Sequence, residues 1–367
     1  MLAVTFINIF AVFFALMSSR RGNFKYGLEF SFITIAIFLS LRYDFGNDYM
    51  TYLKAFNRIN NTYSLSNLNF RGFYIDGEHM EIGWIILCLI CKPIGFFGMI
   101  ILTSIFTSFC MYYAIKKNVD KQYYWLAVFI YVFTPNMMIF YASMMRQTMS
   151  ISIFLISINY ILNKKYIKYT LLTILAMSFH LTGIIMIPLY FIITARFKFK
   201  TNQTIGFILI MFILALSMSS ILKNIVDLVN ILSPKYSKYY SFVQNENINS
   251  GVGIILMIIL SIITLFIGNK CNNKQKVYII LSYVYILSII LSISLEPFYR
   301  MSIFLLSSMS IAFAITVKYL HSFYLKISYT IVLITFTIYQ YINVFSNPIL
   351  MDKLLKYHTI LGTGVWK

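Results

Sequence analysis

Arginines, carboxylates and one histidine stand at the ends of long apolar stretches of this 367-residue chain. Ionisable side chains are costly beside lipid, so each has a partner or a task. The arginines are Arg42 in Leu41-Arg42-Tyr43-Asp44, Arg146 in Met145-Arg146-Gln147, and Arg300 in Tyr299-Arg300-Met301. A guanidinium offers a planar fork of donors that matches phosphate, and three of them at one membrane level suggest a diphosphate site. His180, Glu81 and Asp48 are further ionisable groups at these ends. Each has a plainer reading: Asp48 caps a helix beginning at Tyr49, Glu81 sits in a first turn where the helix dipole favours a carboxylate, and His180 is packed in a core. Gln147 follows Arg146, and Tyr49, Tyr52 and Tyr239 lie in the two polar loops, where an interfacial aromatic belt accounts for tyrosines.

The elements that position these groups are membrane helices. The chain is 60% hydrophobic and 11% charged, against about 25% charged in an ordinary soluble domain. Charge-free apolar blocks of helical membrane length recur along it. The net charge of +19 is gathered in short clusters between these blocks, at Arg20/Arg21/Lys25, Lys116/Lys117/Lys121, Lys164/Lys165/Lys168, Arg196/Lys198/Lys200, Lys270/Lys274/Lys276 and Lys318/Lys326. Such clusters mark cytoplasmic loops and argue against nucleic acid as a partner. With them inside, twelve spans fall near 2–18, 26–41, 97–115, 123–141, 144–162, 168–179, 181–195, 204–222, 251–268, 277–294, 298–317 and 327–346. The fold expected is therefore an all-α polytopic membrane protein of about twelve transmembrane helices, in one domain over 1–367. Residues 81–93, broken by Lys92-Pro93, form a re-entrant or amphipathic helix on the outer face. Residues 168–195 form a short hairpin turning near His180.

The first apolar stretch has its basic flank after it, which makes it a retained span with the N-terminus outside. The six clusters hold 17 of the 30 Lys and Arg, and the acids on that side are Glu29 and Asp120. The other nine acids fall outside, together with two larger extracytoplasmic loops at 42–80 and 223–250. A site for polar chemistry is expected on that outer face. Cys88, Cys91, Cys110 and Cys271 lie in or beside apolar segments without metal-ligand spacing, so no metal is expected.

Taken in order, several of these residues form a pattern. It begins with R-x-x-x-G-x-D-Y-x-x-Y at Arg42, Gly46, Asp48, Tyr49 and Tyr52, followed by Glu81, Gly83 and Trp84. Arg146-Gln147, Phe179-His180 with Pro188, and Arg300 complete it. The pattern resembles the EpsG family of bacterial polysaccharide polymerases, related to the Wzy O-antigen and capsule polymerases. Ile82 departs from it, since many relatives carry an E-P-G run there.

The resemblance implies a metal-independent, cofactor-free glycosyltransferase of the bacterial cytoplasmic (inner) membrane, with its active face extracytoplasmic. Undecaprenyl-diphosphate-linked oligosaccharide repeat units would be donor and acceptor, with membrane lipid and a chain-length regulator as further partners. Arg42, Arg146 and Arg300 would hold the departing diphosphate, His180, Glu81 or Asp48 would receive the proton, and Tyr49, Tyr52, Gln147 and Tyr239 would contact sugar. An O-antigen ligase shares this chemistry with another acceptor. A membrane O-acyltransferase would draw its donor from the cytoplasm, and a flippase or transporter would bury charges along a central path.

Overall fold

The protein is described by a computed structural model covering residues 2–19, 24–64, 73–75, 78–195, 200–214, 217, 252–292, 296–346, 354 and 357–362. The chain divides into two compact units, one of residues 1–191 with 337–367 and one of 192–336.

In the first unit the helices are α1 (Leu2–Ser19), α2 (Gly27–Leu41), α3 (Tyr49–Thr62), α4 (Ile82–Ile90), α5 (Gly95–Asn118), α6 (Tyr124–Phe133), α7 (Met138–Ser143), α8 (Met145–Leu162) and α9 (Tyr166–Phe179), with α10 (Met186–Thr194) running out of it. α8 packs on α5 and α9, α2 on α1 and α5, and α4 on α3 and α9. Nearly every side chain of α8 is buried. By contrast, only 28% of α1 is buried despite its apolar composition, and a helix apolar on exposed faces is one suited to lipid contact.

The second unit holds α11 (Thr201–Leu214), α12 (Val252–Leu265), α13 (Asn273–Leu291), α14 (Glu296–Tyr319) and most of α15 (Phe323–Ser346). α13 packs on α12 and α14. Polar ties between helices of this unit include Thr316 to Thr264 at 3.0 Å, Tyr319 to Gln275 at 2.6 Å and Thr204 to Tyr283 at 2.7 Å.

The fold is that of a helical, multi-pass membrane protein. Among the described residues five helices are long and apolar enough to cross a membrane: Leu2–Ser19, Lys92–Asn118, Asn273–Leu291, Phe298–Tyr319 and Phe323–Ser346. Others are shorter; the 14 residues of α9 extend about 21 Å against ~30 Å of hydrocarbon.

The span expected at 123–141 is broken instead. α6 stops at Phe133, Thr134 turns extended (φ −78°, ψ 116°), and α7 starts at Met138. Pro135 is the cause, having no N–H for the helix and forcing the residue before it out of helical conformation. A second break at Met144 (φ −98°, ψ 68°) separates α7 from α8.

The expectation of purely helical structure also misses two ribbons. Arg42–Tyr43 (β1) pairs antiparallel with His358–Thr359 (β4), and Phe73–Ile75 (β2) with Glu78–Met80 (β3). Residues 42–80 are not a plain loop: α3 buries Tyr49, Tyr52, Phe56 and Ile59 along one face and leaves Lys54, Asn57, Arg58 and Asn61 exposed, the spacing of an amphipathic helix. Lys92 donates to the Asn60 carbonyl at 2.9 Å, fastening the last turn of α3 to the Lys92-Pro93 break.

Candidate functional site

α8 and α9 run antiparallel, so that Arg146, in the first turn of α8, and His180, just past α9, share one end of the pair. Lys164, Lys165 and Lys168 mark the other end. Into the first end comes Glu81, which precedes α4 with extended backbone (φ −74°, ψ 145°). Its Oε2 accepts from the Arg146 guanidinium at 2.7 Å and its Oε1 from the Leu181 backbone N–H at 3.2 Å. Both partners of the ion pair are largely shielded, with side-chain exposures of 16% and 14%. One carboxylate thus joins three elements. Glu81 occupies the N-cap position of α4, yet its side chain makes no cap, because its oxygens are turned outward to α8 and the 180–185 turn.

His180 leaves the helix in extended conformation and is followed by a 3-10 turn at Leu181–Ile185. Its Nδ1 accepts the Thr182 backbone N–H at 3.2 Å and lies 2.8 Å from Thr182 Oγ1. A backbone N–H can only donate, so Nδ1 is the unprotonated nitrogen and the neutral ring carries its proton on Nε2. In this state Nε2 is a donor. The chain then turns back, and Tyr190 of α10 lies 5.6 Å from both Tyr166 and Tyr169 at the start of α9.

Tyr52 and Trp84 form the wall beside Arg146. Their rings are 5.1 Å apart, and the Arg146 guanidinium carbon lies 6.0 Å from the Tyr52 centroid, within cation–π range. Burial pushes the Tyr52 phenol above its ordinary pKa, opposed by the guanidinium next to it. Asp48 precedes α3 by one residue, half-buried, without a side-chain cap to the helix; its carboxylate is close enough to influence the Tyr52 phenol.

Two of the sequence-predicted residues turn inward. Tyr49 is fully buried, its ring edge-on to Phe96 at 5.4 Å and its hydroxyl donating to the Arg42 carbonyl at 3.1 Å. Arg42 is 2% exposed and donates to the Leu39 carbonyl and, at 2.9 Å, to Ser104 Oγ. Gln147 is buried within α8. Arg300 belongs to the second unit, exposed in the first turn of α14. Tyr239 and the loop 223–250 lie outside the described residues.

Two motif glycines have a physical reason. Gly46 has φ +107° and approaches the Ala142 carbonyl, where a Cβ would lie 2.7 Å from the oxygen. Gly83 lets α4 touch α9, where a Cβ would meet Ser178 Oγ at 2.4 Å and the Ser178 carbonyl at 2.7 Å. Ser104, Ser143 and Thr182 are partners that sequence reasoning missed; Ser143 accepts the Asn47 N–H at 3.2 Å. A hydroxyl within an apolar helix gives no sign of its partner. Among the described residues no group of three or more His, Cys, Asp or Glu could hold a metal ion.

The family model described as the EpsG family matches residues 25–359. Comparison with curated proteins and with solved structures finds no match.

Proposed function

Since the chain belongs to the EpsG family, a Wzy-like polysaccharide polymerase family, we propose that it joins undecaprenyl-diphosphate-linked oligosaccharide repeat units into a surface polysaccharide at the outer face of the cytoplasmic membrane. The observation that carries this reading is the Glu81 carboxylate, which bridges Arg146 and the backbone beside His180. It gathers a phosphate-binding cation, a hydrogen-bond donor and an aromatic wall at one helix end.

The roles follow from the hydrogen bonds. Glu81 and the Tyr52 hydroxyl hold the Arg146 guanidinium in place, and its charge, with the positive end of α8, favours a diphosphate. His180 donates from Nε2 to a diphosphate oxygen as charge builds there when the bond from the sugar anomeric carbon breaks. The acceptor hydroxyl attacks that carbon and gives its proton to Asp48. Of the three candidate bases, Asp48 is assigned this step because its carboxylate stands near Tyr52, the ring beside Arg146, while the neutral His180 ring keeps its proton on Nε2. Tyr52, buried between Trp84 and Arg146, is a wall residue of the site, while Tyr49 is a positioning residue that braces the Arg42 corner.

The test is polymerisation by purified protein supplied with a lipid-diphosphate-linked repeat unit. Wild type yields a ladder of products; Arg146→Ala abolishes it, and Arg146→Lys recovers part of it, restoring charge without the fork. A full ladder from both Arg146→Ala and Glu81→Gln, at normal expression, excludes this site. In cells, deletion leaves the surface glycan at one repeat unit. Loss from the final anchor would identify a ligase instead.

A further inference from the structure

Helix α2 ends at Leu41, and the last carbonyls of a helix lack partners within it. Two of those in α2 are satisfied from the side. The Leu39 carbonyl accepts from the Arg42 guanidinium, and the Phe38 carbonyl accepts from the Tyr357 hydroxyl at 2.6 Å, across 319 positions of sequence. The Tyr357 ring lies flat on Phe38, with centroids 4.3 Å apart and planes at 15°, and meets Phe45 edge-on at 5.4 Å. The next two residues, His358 and Thr359, form the ribbon with Tyr43 and Arg42, and Ile360 after them is fully buried. Residues 357–360 are thus seated on the corner between α2 and α3. The family match runs through Tyr357 to Thr359, the last residue of that ribbon.

The backbone of the corner is strained. Asp44 has φ +45° and Gly46 φ +107°, and a residue with a side chain stays in the left-handed region only where its surroundings over-determine it. Gly46 is pressed on the Ala142 carbonyl, and the Asn47 N–H is bound by Ser143. From the end of the chain come Tyr357 and its strand. Asp48 follows Gly46 by two residues, and Tyr52 lies one helical turn further on. Whatever closes the corner therefore also sets where that carboxylate and that phenol stand.

We propose that the C-terminal segment is part of the site: Tyr357 is a positioning residue that, with the strand after it, clamps the 42–48 corner and so fixes Asp48 and Tyr52. The effect on turnover rests on the reading of Asp48 as base; the clamp itself does not.

Hydrogen exchange on purified full-length protein in detergent tests the clamp without any substrate. Tyr357→Phe keeps the stacked ring and loses the hydrogen bond, so exchange over 42–52 quickens about fivefold while that of α8 and α9 is unchanged. Tyr357→Ala removes the ring as well, and exchange there quickens by more than about tenfold. Where Tyr357→Ala does not accumulate, Tyr357→Phe decides. In the polymerisation assay kcat falls in the same order and KM for the lipid-linked donor is unchanged, because Arg146 and His180 hold the donor. Unchanged exchange over 42–52 overturns the clamp, as does an equal rise across all helices, which is a general loss of stability. Normal kcat in a variant whose corner exchanges faster overturns the positioning role. A wild-type protein that makes no polymer counts against the proposed function alone, and the exchange result still judges the clamp.

Discussion

The two nitrogens of His180 can be separated by substitution. Nδ1 accepts the Thr182 N–H at the turn, which leaves the proton of the neutral ring on Nε2. Asparagine places an acceptor where Nδ1 stands, and glutamine places a donor where Nε2 stands. His180→Asn is therefore expected to keep Tm near wild type and lose turnover, and His180→Gln to keep part of turnover with a lower Tm; turnover assays and thermal unfolding on the pair check this. The base is tested by pH. A histidine base loses activity as pH falls through about 6 to 7, whereas a carboxylate stays ionised to about 5. With Asp48 as base the rate stays level down to about pH 5 and Asp48→Asn is inactive. A loss centred near pH 6.5 in wild type would return the proton to His180.

At the scale of elements, close contact between α4 and α9 is what delivers Glu81 to Arg146. The contact depends on Gly83, since any side chain there would press on the Ser178 backbone. Gly83→Ala is expected to destabilise the protein by about 1–3 kcal/mol, the usual cost of overpacking. It should also lower turnover more than lipid-donor binding, because it moves Glu81 and leaves α8 in place. Thermal unfolding together with kcat and KM measures both, and unchanged values would show that the interface yields without cost. The breaks at Pro135 and Met144 belong to the same scale. They set where α8 begins, and so put Arg146 in its first turn rather than one turn deeper.

For the whole molecule, the expected charge placement can be set beside one ion pair between helices. Glu29, in the first turn of α2, meets Lys116, in the last turn of α5, at 2.6 Å; both are expected on the cytoplasmic side. The twelve-span arrangement makes a direct prediction for single cysteines placed in a cysteine-free chain. An impermeant thiol reagent applied to intact cells should label position 238 and spare position 274. The reverse pattern would remove the short hairpin at His180 from the topology and invert every later segment.

The membrane class, the helical fold and the residues worth testing were legible in the amino-acid sequence, because they are written in local features. Apolar length sets a span, a lone ionisable group at its end marks a site, and Lys92-Pro93 ends a helix wherever it occurs. Long-range contacts decided the rest. Glu81 meets Arg146 across 65 positions and the Leu181 N–H across 100, and no local pattern states which helix faces will pack. The same packing separates arginines that look alike in sequence. Arg146 faces a carboxylate and an aromatic wall, while Arg42 is turned 62 positions along the chain to Ser104 inside the bundle. The tautomer of His180, by contrast, is set locally, by the N–H of Thr182 two positions on.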